Sequence, residues 1–190
     1  MNRKSWVIII TAMAVCAVIL GHVNVCAQSV QSTAQVVKAT FLYNFAKFIL
    51  WPDEAFKNPD SPIVLCILGE DTLGGALTVI KDKTVGQRRL LIRYCSDVAE
   101  TDGCHILFIS PSEKENFSHI LEEIKGTPCL TVSDTETFTQ HGGMIYLFQQ
   151  GNKIRFEINL EASKEARIKI SSQLLKLARL FKTDEQGGKR

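Results

Sequence analysis

The sequence lacks the short motifs that mark most enzymes and cofactor-binding domains. It contains no GxGxxG or Lys-Ser/Thr phosphate loop, no GxSxG nucleophile elbow, no CxxC pair and no zinc-type spacing of cysteine and histidine. No set of Asp, Glu and His has the spacing of a metal site. These absences argue against dinucleotide binding, serine hydrolysis, structural zinc and thioredoxin-type chemistry. We therefore expect no enzymatic activity, no metal and no cofactor.

The sequence also lacks an apolar run long enough to span a bilayer as a helix. Val7–Leu20 is almost unbroken in apolar residues, but its 14 residues fall short of the roughly 20 required. Two basic residues precede this run, and Val25-Cys26-Ala27 follows it with small residues three and one positions before Gln28. This arrangement is typical of a secretory signal peptide. We expect cleavage between Ala27 and Gln28 and an exported domain.

Two other interpretations of the N-terminus are open to the same residues. An uncleaved anchor is the first, because Gly21–Val25 could lengthen the apolar segment. A lipoprotein is disfavoured, since Val15 and Val25 precede Cys16 and Cys26, where Gly, Ala or Ser would be expected. Each interpretation places the domain outside the cytoplasm.

The exported part of the chain has no excess of charge of either sign. Loss of residues 1–27 removes Arg3 and Lys4, which reduces Lys and Arg from 22 to 20, against 20 Asp and Glu. A long basic run is also missing, so neither nucleic acid nor an anionic membrane is expected as a partner. The 163 residues of 28–190 suffice for one domain with its own core, ending in a polar and mobile tail from about residue 182. Partners should recognise surface shape and apolar patches.

Cysteine is present in an even number in the exported part: Cys66, Cys95, Cys104 and Cys129. Four cysteines in an exported domain indicate disulfides, with three possible connectivities. Cys66 lies within a strand-like run, and Cys104 opens another that should lie beside it, which favours a Cys66–Cys104 bond. Cys95 and Cys129 either form a second disulfide or remain buried free thiols.

Apolar periodicity predicts an α/β fold. Strands that alternate with helices and are apolar throughout imply a mostly parallel sheet covered on both faces. The sequence therefore predicts a three-layer single domain with a mostly parallel sheet flanked by helices and a C-terminal antiparallel β-hairpin. The expected helices are 34–50, 73–83, 113–125, 134–140, one that begins after Asn159, and 170–181, and the expected strands are 63–68, 90–95, 105–110, 129–132, 144–148 and 153–158.

One glycine-rich segment follows the first strand, where phosphate-binding loops are found. Gly69–Gly75 departs from such loops because Glu70 and Asp71 would repel a phosphate at the N-terminus of the next helix. We interpret it as a tight turn in which Asp71 or Thr72 caps that helix.

His105 follows Cys104 in a buried strand, but adjacent strand residues point to opposite faces, so we interpret it as structural.

Five residues are candidates for a partner-binding surface. Tyr43 lies outside the apolar stripe of the first helix, and Trp51 lies at the end of that helix. Exposed aromatic residues often anchor interfaces. Arg155, Glu157 and Asn159 alternate along the last strand of the hairpin and so share one face. That row either binds a partner or ligand or is the solvated face of an edge strand.

Taken together, seven ordered segments resemble the YfiR family of periplasmic proteins and cover nearly all of 28–190. These are KATFLYNFAKFILWP (38–52), VLCILGEDTLGGAL (64–77), GCHILFIS (103–110), LTVSD (130–134), GGMIYL (142–147), RFEINLEA (155–162) and SSQLLKLAR (171–179). The resemblance implies a non-enzymatic periplasmic domain that dimerises. It also implies that the domain holds an inner-membrane diguanylate cyclase inactive by binding the periplasmic sensor region of that enzyme.

Further expectations follow from the same resemblance. An outer-membrane, peptidoglycan-binding lipoprotein would sequester the repressor, after which cyclic di-GMP and biofilm formation rise. A disulfide between Cys66 and Cys104 is a feature of the family, whereas Cys95 and Cys129 have no such support. The alternative function is a periplasmic module that binds a small metabolite and serves another membrane receptor or transporter. An apolar pocket near 69–75 or near Arg155 and Glu157 would favour it.

Overall fold

The computed structural model of the chain describes residues 23–182, with side chains from residue 33 onward. Most of the predicted signal peptide and the predicted polar tail beyond 182 lie outside these residues. The proposed junction after Ala27 falls within the first described helix. Within 23–182, no helix combines the length and the apolar character needed to cross a membrane.

One long N-terminal helix is followed by short helices that alternate with short strands along the described chain. The α-helices are α1 (Val23–Phe48), α2 (Phe117–Glu123), α3 (Leu160–Glu165) and α4 (Ser172–Leu175). The strands are β1 (Ile49–Leu50), β2 (Ile63–Leu68), β3 (Thr84–Val85), β4 (Arg88–Cys95), β5 (Ile106–Ile109), β6 (Leu130–Ser133), β7 (Ile145–Gln150), β8 (Lys153–Ile158), β9 (Lys169–Ile170) and β10 (Arg179–Leu180). Segments of 3-10 helix are found at Asp53–Ala55, Gly74–Val79, Val98–Thr101 and Pro111–Asn116.

Eight strands form one mixed sheet in the order β10-β8-β7-β6-β5-β2-β4-β3. Five of its seven strand pairs are parallel, and only β7–β8 and β3–β4 are antiparallel. β1 and β9 form a separate two-stranded antiparallel sheet. This confirms the predicted α/β class, its mostly parallel sheet and its C-terminal hairpin.

The sheet is covered on both faces, which makes the domain three-layered. On one face, Leu42 and Phe45 of α1 are fully buried against alternate strand residues such as Leu65 and Phe108. The opposite face carries a second cluster, in which Phe117 and Ile120 of α2 join the sheet residues. Since successive strand residues point to opposite faces, central strands covered on both must be apolar throughout.

Two predicted helices are wrong. Residues 134–140 form turns, because Thr137 adopts a positive φ of 70°. Residues 170–181 contain only the single turn of α4 between two strands, because Ile170 pairs with Ile49 and Leu180 pairs with Ile158. In the second segment, strand pairing overrides helical periodicity.

The segment Gly69–Gly75 turns as predicted, but the helix predicted for 73–83 is only the 3-10 segment Gly74–Val79, followed by turns. Asp71 caps the turn after β2, since its Oδ1 accepts hydrogen bonds from the N–H groups of Leu73 and Gly74. Gly142, at the entrance to the hairpin, has a φ of 95°, which favours glycine. Gly143 is needed for space instead, because a Cβ there would overlap the ring of Phe138.

Candidate functional site

A disulfide links the central strand β2 to the start of β5. Cys66 is fully buried in β2, and Cys104 lies just before β5 with 7% of its surface exposed. The two Cα atoms are 5.9 Å apart, within the normal span of a disulfide. The bond closes a loop across a sequence separation of 38 residues, which contains β3 and β4. It ties β2 to the segment that leads into β5.

The other two cysteines are buried free thiols, so the structure contains the second of the two expected alternatives. Burial raises the pKa of Cys129 to about 12. Burial also raises the pKa of Cys95, an effect that Arg93 opposes and Glu100 reinforces. The sulfur atoms of Cys66, Cys95 and Cys104 all lie within 4.8 Å of one another.

Tyr43 lies half-buried on α1 and connects that helix to the sheet edge. Its hydroxyl donates a hydrogen bond of 2.9 Å to the carbonyl oxygen of Thr84 in β3. The ammonium groups of Lys47 and Lys83 lie 4.1 Å and 5.1 Å from its ring centroid. The ring is thus held between two cations, and part of it faces solvent.

Trp51 is also half-buried, and it packs against the buried His105. Its indole Nε1 donates to the carbonyl oxygen of His105 at 3.2 Å, and the two rings meet edge-on at 5.9 Å. Phe56 stacks on the other side of the imidazole at 4.5 Å, with the Arg88 guanidinium 3.7 Å from the Phe56 centroid. Much of the Trp51 ring therefore serves internal packing.

His105 is held neutral by this environment. Burial is the main cause that lowers its pKa from 6.5 to about 4. Its Nδ1 accepts a hydrogen bond of 3.2 Å from the N–H of Val64 in β2. These contacts fit the structural role predicted for it.

The row of Arg155, Glu157 and Asn159 does not form one exposed surface. Arg155 is exposed, but Glu157 and Asn159 each have only 8% of their surface exposed. Asn159 caps α3 by accepting from the N–H of Ala162, and its amide donates to the carbonyl of Thr139. The expectation of a shared surface is corrected here, because the turn containing Thr139 and the strand β10 cover this end of β8.

Glu157 instead fastens the last strand to the domain. Its carboxylate accepts hydrogen bonds from the Thr139 hydroxyl and from Arg179 Nε, both at 2.6 Å. The Arg179 guanidinium also lies 4.3 Å from the ring centroid of Phe148 in β7. β10 therefore lies at the sheet edge, and the half-exposed side chain of Arg179 ties it to the buried Glu157.

The C-terminal edge carries exposed apolar residues that the sequence did not reveal. Leu177 is 69% exposed and Leu180 is 46% exposed. Both lie in the segment predicted as one amphipathic helix, where a leucine is expected to face the core. An edge strand with exposed apolar side chains is a ready surface for another chain.

A separate cavity of about 610 Å³ lies between α1 and the β7–β8 hairpin. Val37, Phe41 and Ile154 form its apolar wall, and Lys153 and Arg155 supply positive charge at its lining. The exposed member of the predicted row thus lines a cavity. Its other lining residues are Thr33, Ala34, Gln149 and Asn152.

Comparison with known proteins matches most of the described chain. A family described as YfiR/HmsC-like matches residues 35–179, a range that contains the disulfide and the whole eight-stranded sheet except Leu180. The structure is also similar to the crystal structure of a conserved domain protein from Vibrio cholerae O1 biovar eltor str. N16961, with 9% sequence identity and a TM-score of 0.42. That match covers 63% of this chain and 54% of the other, so this chain spans about half the length of that protein.

Proposed function

The chain belongs to the YfiR/HmsC-like family, and we propose that it is a periplasmic repressor that binds the sensor region of an inner-membrane diguanylate cyclase and so limits cyclic di-GMP production. The family is one of periplasmic regulators rather than enzymes. The single observation that supports the proposal is the family match over 35–179. In this proposal, residues 1–27 are a cleaved signal peptide and 28–190 are the secreted domain.

Repression by binding requires a difference in affinity between two states of the partner. The chain must bind the inactive cyclase more tightly than the active one, and that difference shifts the equilibrium. Each tenfold preference corresponds to about 1.4 kcal/mol. A rigid domain suits this role, because little ordering is needed when it binds.

The docking surface in this proposal is the C-terminal edge, defined as Leu177 together with β10. Its two exposed leucines offer apolar contact, and the ion pair between Arg179 and Glu157 fixes the strand that presents them. Tyr43, Trp51 and Arg155 are further contact candidates, although Tyr43 and Trp51 are partly committed to internal contacts. Glu157 and Asn159 are buried beneath this surface and support it through their hydrogen bonds.

Homodimerisation and sequestration by an outer-membrane, peptidoglycan-binding lipoprotein belong to the same proposal. Both rest on family membership. A second copy of the chain or the lipoprotein would have to cover the C-terminal edge or compete with the cyclase for it. Such competition would release the cyclase. Cyclic di-GMP and biofilm formation would then rise.

A pull-down tests the repressor proposal. Tagged 28–190 in its oxidised form is offered to detergent-solubilised membranes of the source organism, and the retained proteins are identified by mass spectrometry. We expect a membrane diguanylate cyclase to be retained by the wild type and lost with Leu180→Lys. Leu91→Lys is the matched control, because Leu91 is 42% exposed on β4, near the opposite edge. Equal retention by both variants would remove the edge from the proposal, and absence of any cyclase would remove the function.

The cavity beside α1 favours one second function, the binding of a small amphipathic anion. Its apolar wall would hold an aromatic or alkyl group, and Lys153 and Arg155 would pair with a carboxylate. Thermal melting with a panel of such anions distinguishes this function. A rise in the wild-type midpoint that is lost with Arg155→Gln supports it, and no rise for any compound argues against it.

A further inference from the structure

A free thiol lies beside the disulfide, at the end of β4. Cys95 ends β4, the neighbour of β2, and the sulfur atoms of Cys66, Cys95 and Cys104 lie within 4.8 Å of one another. In the β2–β4 register, Cys66 is opposite Arg93 and Leu68 is opposite Cys95. Cys66 and Cys95 are therefore two positions apart on the same face of adjacent strands.

We infer that Cys95 and the Cys66–Cys104 disulfide form a thiol–disulfide exchange site that converts Cys104 into a free, modifiable thiolate. The Cys95 thiolate attacks Cys66 Sγ, so that a Cys66–Cys95 bond forms and the Cys66–Cys104 bond breaks. Cys104 leaves with the electron pair, and the proton lost by Cys95 passes to solvent or to the Cys104 thiolate. The reactants and the products each contain one disulfide and one thiol, so the exchange requires no external oxidant or reductant.

The surroundings favour Cys104 as the leaving sulfur. Arg93 Nη2 lies 3.2 Å from Cys104 Sγ and also donates to the carbonyl oxygen of Asp102 at 2.7 Å, which fixes the guanidinium in place. A positive charge at this distance stabilises a thiolate, and a better-stabilised thiolate leaves faster. Cys66, in contrast, is fully buried in the centre of β2.

Cys104 also has space in which to react. It lines a cavity of about 430 Å³, formed by the segments around Glu54, Val98 and Ile124. Small electrophiles that react with thiolates, such as an alkylating agent or a low-molecular-weight disulfide, fit a cavity of this size. The exchange therefore opens to this cavity a sulfur that is otherwise held in the disulfide.

The second isomer should be the minor one. The Cys95 sulfur lies within 4.8 Å of the Cys66 sulfur, whereas a disulfide bond brings two sulfurs to about 2.05 Å. A Cys66–Cys95 bond thus requires the end of β4 to move. A bend follows directly at Ser96, so the chain can move there without disturbing the centre of the strand.

Alkylation of the native protein tests this site. Oxidised wild type, Cys95→Ser and Cys129→Ser are incubated with iodoacetamide, quenched in acid and digested for mass spectrometry. Cys129 is the matched control, because it is the other buried free thiol and lines the same cavity as Cys104. We expect alkylation of Cys104, with a linked Cys66–Cys95 peptide, in the wild type and Cys129→Ser, and at least a tenfold loss in Cys95→Ser. Equal alkylation of Cys104 in Cys95→Ser, or none in the wild type, would overturn the inference.

A second variant tests the geometry separately. Cys104→Ser leaves Cys66 and Cys95 as the close pair, and we expect them to form a disulfide when this variant is secreted under oxidising conditions. A folded Cys104→Ser protein in which both sulfurs stay reduced would contradict the inference. If this variant does not fold, the alkylation of Cys95→Ser decides alone. Neither test depends on the repressor function, since both read sulfur chemistry directly.

Discussion

At the scale of a single residue, burial determines the charge of His105. Its imidazole lies between Phe56 and Trp51, and its Nδ1 accepts from the Val64 N–H. Protonation would place a positive charge among these rings and would remove the acceptor on Nδ1. The pKa therefore falls to about 4, and folding favours the neutral form.

We predict that His105 makes the fold sensitive to acid. Because the folded pKa is about 4 and the unfolded value is 6.5, the unfolded chain binds the extra proton between these pH values. Stability is then fully present above about pH 6.5 and decreases as the pH falls toward 4, by roughly 2–3 kcal/mol. His105→Asn keeps an acceptor for Val64 but cannot titrate.

Urea denaturation at several pH values measures this effect. We expect the free energy of unfolding of His105→Asn to fall less steeply than that of the wild type between pH 7 and pH 4. His119→Asn is the control, because His119 is exposed on α2. The same slope for wild type and His105→Asn would show that another group causes the acid sensitivity.

At the scale of a secondary-structure element, β10 shows how a sheet edge is held by one buried acid. The strand has two residues, which pair in parallel with Glu157 and Ile158 of β8. Glu157 joins Arg179 in β10 to Thr139 in the turn that precedes β7. Three separate parts of the chain thus meet at one carboxylate.

We predict that Glu157→Ala releases this edge. The substitution leaves the buried Thr139 hydroxyl and Arg179 without their acceptor, which should cost about 1–3 kcal/mol. Hydrogen exchange should accelerate at the Phe181 N–H, which donates to the carbonyl of Ile158. Glu161→Ala is the matched control, because Glu161 also pairs with a cation, Lys164, but is 71% exposed. Its change should stay within about 0.5 kcal/mol, and an equal loss in both variants would contradict the prediction.

The same element shows where reading the sequence failed. Residues 170–181 have apolar residues at helical spacing, yet the observed structure depends on pairing with strands more than 20 residues away, such as Glu157 with Arg179. Periodicity cannot reveal such a partner. The strand 63–68 was predicted with its true bounds, because its apolar run ends at a proline and a glycine and is buried on both faces.

At the scale of the whole molecule, the arrangement of the sheet was predictable, but exposure at its edges was not. The alternation of strands and helices predicted the parallel sheet, and Cys66 and Cys104 were expected to be close because their strands were expected to be neighbours. The burial of Glu157 and Asn159 was not predictable, since it depends on the turn and strand that fold over β8. The third sulfur near the disulfide was missed too, although Cys95 ends a predicted strand. The strand order, which places β2 between β4 and β5, was the missing information.

The disulfide should stabilise the whole domain and hence its action on a partner. It closes a loop across a separation of 38 residues, for which loop entropy gives about 4 kcal/mol. We predict that the double variant Cys66→Ala and Cys104→Ala loses about 2–4 kcal/mol in urea denaturation, and we use both substitutions so that neither sulfur pairs with Cys95.

The same double variant tests whether stability and repression are connected. β2 and β5 lie in the centre of the sheet whose far edge is β10, so a loosened centre weakens the presentation of Leu177 and Leu180. We expect inhibition of the cyclase in membrane vesicles to fall in parallel with stability, while Cys129→Ala, a buried thiol outside the disulfide, keeps full inhibition. Full inhibition by a destabilised double variant would show that the docking surface does not depend on the disulfide. Lost inhibition with unchanged stability would mean that the partner contacts the disulfide, or the residues that line the cavity beside Cys104, directly.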